Sequence, residues 1–190
     1  MSLSKIATDV KWHRKTANDK IYTPKPFALK MIELCEITPD MKVLDPSKGG
    51  GVFYDNLPPC EKDYCEIDEG KDFFDYNKRV DLVIGNPPYS LWTKWLEHTT
   101  KITDKFCYIF GFLNLTPYRI EQLEKKGFFI TKSAMCRVDY WFGVSFVAVF
   151  EKNKTPIIQS WGRVYCDICG KNCGRGGSGK SPNLCYAIQK

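Results

Sequence analysis

Long apolar runs are missing from this chain. The two most apolar stretches, Phe106 to Leu115 and Trp141 to Phe150, are too short to span a bilayer and are broken by Gly or polar residues. Nor does the N-terminus carry the apolar run followed by small residues that marks a secretory signal. Together these absences predict an intracellular protein, cytoplasmic or nucleoid-associated, with no membrane partner. Histidine is scarce: only His13 and His98 occur, and no nucleophile is placed to pair with either. Internal repeats are lacking, and Gly174 to Ser181 is the only low-complexity stretch. That stretch ends in Gly179-Lys180-Ser181, yet no buried strand leads into it and no helix follows, which excludes a phosphate-binding loop. With 43% apolar and 26% charged residues, disordered, collagen-like and coiled-coil readings also fall away.

Cysteine, by contrast, is plentiful. Nine cysteines, an odd number without a secretory signal, argue against a disulfide framework. Five of them, Cys35, Cys60, Cys65, Cys107 and Cys136, are scattered through apolar or strand-like contexts. The other four, Cys166, Cys169, Cys173 and Cys185, follow C-x2-C-x3-C-x11-C. Four thiolates at that spacing can close a tetrahedral all-sulfur site, which predicts structural Zn2+ in a small C-terminal tail. Free thiols, or a redox pair at Cys166 and Cys169, are the competing readings.

The net charge of +6 is concentrated at the ends. Residues 1–20 hold five Lys/Arg against two Asp, and residues 151–190 hold seven against two acids, leaving a slightly acidic middle. Basic ends on a near-neutral body suggest a polyanionic partner, although solvated tails explain them almost as well.

Between those ends, apolar periodicity alternates between strand and helix. Thr23-Pro24 reads as a capped helix start, followed by Phe27, Ala28, Met31, Ile32 and Cys35 at helical spacing. Lys42 to Asp45, Tyr64 to Asp68 and Val80 to Gly85 read as buried strands ending in polar residues. Leu91, Trp92, Trp95, Leu96 and Thr99 form a helical face, Phe106 to Phe112 a strand, and Ile120 to Lys126 a helix stopped by Gly127. Phe128 to Val138 and Val144 to Phe150 read as an antiparallel hairpin. The fold class is therefore α/β: a Rossmann-like doubly wound, mainly parallel sheet with a terminal antiparallel hairpin, plus the zinc-binding tail. The expected organisation is a basic arm (1–20), one domain (21–152) and the tail (153–190). Ligands of such sheets sit outside the carboxyl ends of the strands, where every polar motif of this chain falls.

The sharpest motif is Asn86-Pro87-Pro88-Tyr89, directly after the strand ending at Gly85. Two prolines fix both φ angles and hold the Pro87 carbonyl and the Asn86 amide in one orientation. A side-chain oxygen and a backbone oxygen aimed at one point can accept both hydrogens of an amino group, and Tyr89 offers a flat face for a planar ring.

With that motif the chain resembles the adenine N6-specific, S-adenosylmethionine-dependent DNA methyltransferases in which the cofactor motifs precede the catalytic one. The resemblance runs from about Tyr22 to Phe150. Tyr22-Thr23-Pro24 is similar to the opening segment that contacts the methionine part of the cofactor, and Val43 to Phe53 to the glycine-rich motif. Glu66-Ile67-Asp68 resembles the acidic motif, and Asp72-Phe73 the one that follows. The implied activity is methyl transfer from S-adenosylmethionine to the N6 amine of adenine in DNA, as in restriction-modification. Asn86, Pro87, Pro88 and Tyr89 would be catalytic. Tyr22, Thr23, Pro24, Asp45, Pro46, Ser47, Gly49, Gly51, Glu66, Ile67, Asp72, Phe73 and Asn86 would hold the cofactor. Within that set Glu66 would accept from the ribose hydroxyls and Asp72 from the cofactor's adenine amine, while Phe73 and Ile67 sandwich its ring. Tyr89 and an aromatic near the hairpin start would stack on the target base; the candidates are Tyr140, Trp141 and Phe142, with Phe142 preferred. The chain departs from the family in having only four residues between Ile67 and Asp72, too few for a crossover helix, and in placing Lys48 inside the glycine turn. Transfer to RNA adenine or protein glutamine, and a catalytically silent nucleic-acid-binding protein, are the alternatives.

Overall fold

The computed structural model describes residues 21–138 and 143–158, and all structural statements concern these. Six strands form one sheet: β1 (Lys42–Asp45), β2 (Glu61–Tyr64), β3 (Leu82–Gly85), β4 (Lys105–Gly111), β5 (Phe128–Cys136) and β6 (Ser145–Lys152). Their order is β2-β1-β3-β4-β6-β5. The pairs β1/β2, β1/β3 and β3/β4 are parallel; β4/β6 and β5/β6 are antiparallel. Three helices, α1 (Lys25–Cys35), α2 (Trp92–Ile102) and α3 (Pro117–Glu124), flank the sheet.

Strand periodicity explains why helices cover both faces. On β4, Cys107 and Ile109 join one buried cluster while Phe106, Tyr108 and Phe110 join the other. Val43 against Leu44, and Leu82 and Ile84 against Val83, divide in the same way, because successive side chains of a strand point to opposite faces. Ala28, Met31, Ile32 and Cys35 of α1 close the first face. Trp92, Trp95 and Leu96 of α2, with Ile120 and Leu123 of α3, close the second. None of the helices is long and apolar enough to cross a membrane.

Three expectations need correction. The second strand is Glu61–Tyr64 at the sheet edge, half exposed, and not a buried Tyr64–Asp68. Past Cys65 the chain leaves the ladder, because Glu66 and Lys71 exchange backbone hydrogen bonds of 3.0 Å and close the intervening residues into a loop. Helix α1 starts one residue later than its Thr-Pro signal implied, with Pro24 as the capping residue, and the Thr23 hydroxyl makes no cap bond. Leu91 lies outside α2, in a short turn of 3₁₀ helix, and is exposed. The same Thr-Pro signal at Thr116-Pro117 does cap α3, with Thr116 Oγ1 accepting from Arg119 N at 3.4 Å.

Candidate active site at the carboxyl edge of the sheet

From β1 the chain steps to β2 on one side, then crosses back to β3 on the other side of β1 and continues outward to β4, so a crevice opens between the carboxyl ends of β1 and β3. Asp45 ends β1 there, and the chain turns sharply through Pro46 to Gly51. Lys48 N donates to Cys65 O (2.9 Å) and Gly51 N to Lys48 O (2.8 Å). Gly49 and Gly51 adopt φ of 51° and 79°, a region that disfavours a Cβ. Lys48 fits this turn because its side chain leaves it: Nζ pairs with Glu69 at 3.2 Å and lies 4.0 Å above the Tyr64 ring. Glu66, just beyond β2, reaches back so that Oε2 accepts from Gly49 N (2.6 Å) and Oε1 from Asp68 N (3.2 Å). The acid is thus fixed against the glycine turn by two backbone donors.

Asp45 is fully buried. Its carboxylate accepts only two long bonds, from Ser47 N (3.2 Å) and Tyr54 N (3.3 Å). Burial pushes its pKa up to about 7, the two bonds and Lys48 oppose the rise, and the charge of Glu66 adds to it.

Across the crevice β3 delivers Asn86. Ser47 Oγ donates to the Asn86 carbonyl (3.1 Å), tying the glycine turn to the strand end. Asn86 Nδ2 donates to the Ile21 carbonyl (2.9 Å), which orients the amide and leaves Oδ1 as the free acceptor. Oδ1 is buried without a partner. A buried acceptor left unsatisfied costs about 1–3 kcal/mol, so Oδ1 is suited to accept a hydrogen from a donor brought to the crevice. The segment that supplies the Ile21 carbonyl also lays Tyr22 on the glycine turn: a Cβ added at Gly49 would stand 3.3 Å from that ring. Thr23 Oγ1 is likewise buried and unpartnered. Pro87 is buried, and Tyr89 is partly buried against the cluster that contains Trp92.

The structure therefore brings Tyr22, Thr23, Asp45, Ser47, Gly49, Gly51, Glu66 and Asn86 to one crevice. Asp72 caps a short turn, its Oδ1 accepting from Phe74 N at 2.9 Å, and Ile67 is exposed. Phe73 does not fit its expected stacking role. Its ring is 2% exposed and packs on Trp95 at 4.3 Å and edge-on to His98 at 4.7 Å. His98 is structural too, with Nε2 on the Tyr76 carbonyl at 2.9 Å. The Ile21 carbonyl and the Ser47 link to Asn86 escaped sequence reasoning, since a backbone acceptor carries no residue signature. A cleft of about 250 Å³ lined by Lys42, Glu61, Tyr76 and Arg79 lies at the amino ends of β1 and β2, away from this chemistry. The basic arm, Tyr140, Trp141 and Phe142, and Cys166, Cys169, Cys173 and Cys185 fall outside the described residues. Among the described residues no group of three or more His, Cys, Asp or Glu could hold a metal.

No protein-family model and no curated protein sequence matches the chain. Solved structures do. A candidate RNA methyltransferase from Pyrococcus horikoshii superposes with a TM-score of 0.56 and 21% identity, over 68% of this chain and 85% of that one. The 23S rRNA methyltransferase ErmE gives 0.55 at 12% identity, over 74% and 72%. Magnesium protoporphyrin IX methyltransferase from Synechocystis, with bound S-adenosylmethionine, gives 0.55 at 12%, over 76% and 91%. The fold is that of these methyltransferases. At such identities the likeness is one of architecture.

Proposed function

We propose that this chain transfers a methyl group from S-adenosylmethionine to the exocyclic N6 amine of adenine in DNA. The observation that carries this reading is the buried, unpartnered Oδ1 of Asn86, oriented from behind by the Ile21 carbonyl and followed by Pro87-Pro88-Tyr89. An acceptor of this kind takes a hydrogen from an amino group. With the Pro87 carbonyl held in one direction by two proline rings, it draws the nitrogen lone pair out of conjugation. Tyr89 offers the conjugated ring a face.

The residues across the crevice suit the cofactor. The glycine turn lets backbone approach without a Cβ, and the Glu66 carboxylate retains lone pairs for two ribose hydroxyls beyond its two backbone donors. When bound, S-adenosylmethionine supplies an activated methyl group on a sulfonium. The protein orients the acceptor nitrogen and stabilises the charge that develops on it.

Adenine in RNA is the second reading, favoured because two of the matching structures are named as RNA methyltransferases. Incubating the full chain with methyl-labelled cofactor and DNA, RNA and protein, then identifying the product by mass spectrometry, separates them. N6-methyl-deoxyadenosine is expected. Methylated glutamine, or no product from a chain that binds cofactor, refutes the proposal.

A further inference from the structure

Strand β4 outruns its neighbour. Gly85, the last residue of β3, lies opposite Tyr108, and β4 continues through Gly111, which pairs with Ser145 of β6, itself opposite Cys136 of β5. Three extra residues raise the β4-β6-β5 part of the sheet by about 10 Å over the end of β3, so Asn86 lies at the foot of a step. Exposed apolar side chains follow this edge: Met135, Val144 and Leu113 lie within two residues of the Cys136, Ser145 and Gly111 row, and Leu113 is 79% accessible. Tyr118, at the start of α3, is 63% accessible. Several large apolar side chains left facing water along one sheet edge suit a surface that meets another molecule.

Charge indicates which kind. The segments that build the step, 86–96, 111–120, 133–138 and 143–146, contain Lys94, Arg119 and Arg137 and not one Asp or Glu. The opposite rim, 45–55 and 63–75, holds eight acids against two lysines. Leu113 and Tyr118 are also held in place: Arg119 Nη1 donates to the Asn114 carbonyl at 2.8 Å, and Thr116 caps α3, so the turn between them is tied at both ends.

The acids that follow these segments on the helices are Glu97 and Glu121, and Glu121 is paired with Lys125 at 3.0 Å. A surface poor in acids with exposed flat and branched side chains fits a polyanion whose bases are unpaired. A duplex hides the base faces on which flat side chains stack, whereas an unpaired strand offers both those faces and its phosphates. We propose that this step binds a single-stranded stretch of nucleic acid flanking the target base, with Tyr118 and Leu113 as its stacking platform. The inference rests on the function proposed above and specifies the strand state of its substrate.

Binding of the full chain to a fluorescein-labelled oligothymidylate of about fifteen nucleotides, followed by anisotropy, tests it; this length spans a typical single-strand site. The probe contains no adenine, so its binding is independent of the methyl-transfer assignment. The strand should bind more tightly than the duplex it forms with its complement. Tyr118→Ala should weaken strand binding about tenfold, within the range for one lost base stack, and leave the slope against salt unchanged. Tyr118→Phe should restore affinity, and Lys94→Ala should reduce the salt slope by about 0.7. Cofactor binding, measured by calorimetry, should be unaltered in all three variants. Equal affinity for strand and duplex overturns the proposal, as does strand binding indifferent to both Tyr118→Ala and Leu113→Ser. Strand binding as expected with no methylated adenine in any nucleic acid would instead sink the functional assignment.

Discussion

Asn in place of Asp45 tests the electrostatics of the crevice. The Asp45 carboxyl is buried, accepts two bonds longer than 3.1 Å, and has its pKa raised from 3.8 to about 7. A raised carboxyl pKa means that the folded chain holds a proton the unfolded chain has already lost. Stability from this group is therefore greatest below pH 4 and is lost as pH climbs towards 7. Moving the carboxyl's midpoint that far is worth on the order of 4 kcal/mol across the window. Asp45→Asn keeps the acceptor oxygen and removes the ionisation, but it buries two amide donors, so its absolute stability is the wrong readout. The difference between variant and wild type cancels every other titrating group. Urea unfolding of both proteins without cofactor, at intervals from pH 4 to pH 8, should show that difference moving in favour of the variant by roughly 4 kcal/mol. A difference independent of pH would show that Asp45 is ionised throughout, and the burial argument would fail.

Asn86→Ala should leave cofactor affinity nearly unchanged and lower turnover by roughly 100-fold or more, because the lost acceptor acts on the reacting amine; near-normal turnover would remove Asn86 from the mechanism. Glu66→Ala should do the reverse, weakening cofactor binding by about 1–3 kcal/mol in calorimetry, and unchanged affinity would contradict its role. The spacing of Cys166, Cys169, Cys173 and Cys185 predicts about one zinc per chain under reducing conditions. Cys169→Ser should abolish it, and elemental analysis that finds no metal in the unmodified protein would reject the site.

Where tertiary packing follows from local pattern, the sequence was readable. Buried strands alternating with helices pointed to the doubly wound sheet, and Phe128 to Val138 with Val144 to Phe150 to the hairpin. Edge geometry was harder to read. Strand β2 is written Glu61-Lys62-Asp63-Tyr64, with no apolar alternation, because it has one neighbour and half its surface in water. Phe73 looked like a stacking residue from its motif alone, whereas Trp95 and His98, more than twenty residues away, claim its ring. Thr23 and Thr116 show why a local signal is insufficient. Both precede a proline, yet only Thr116 caps, because α1 begins beyond the reach of Thr23. Asn86 was legible from its motif, while the carbonyl that orients it became visible only when residues 65 positions apart met.

Trp92 opens α2 three residues after Tyr89, is 1% exposed, and packs against Phe110 at 4.9 Å and Tyr108 at 6.0 Å. An indole sealed in such a cluster emits at short wavelength, and its intensity responds to small rearrangements of the rings around it. Because only a short turn separates it from Asn86, any ligand that draws the Asn-Pro-Pro-Tyr segment into a new position must also disturb that emission. The chain thus carries an intrinsic optical gauge at the base of its crevice, and titrations of cofactor or nucleic acid can be followed without attaching a dye.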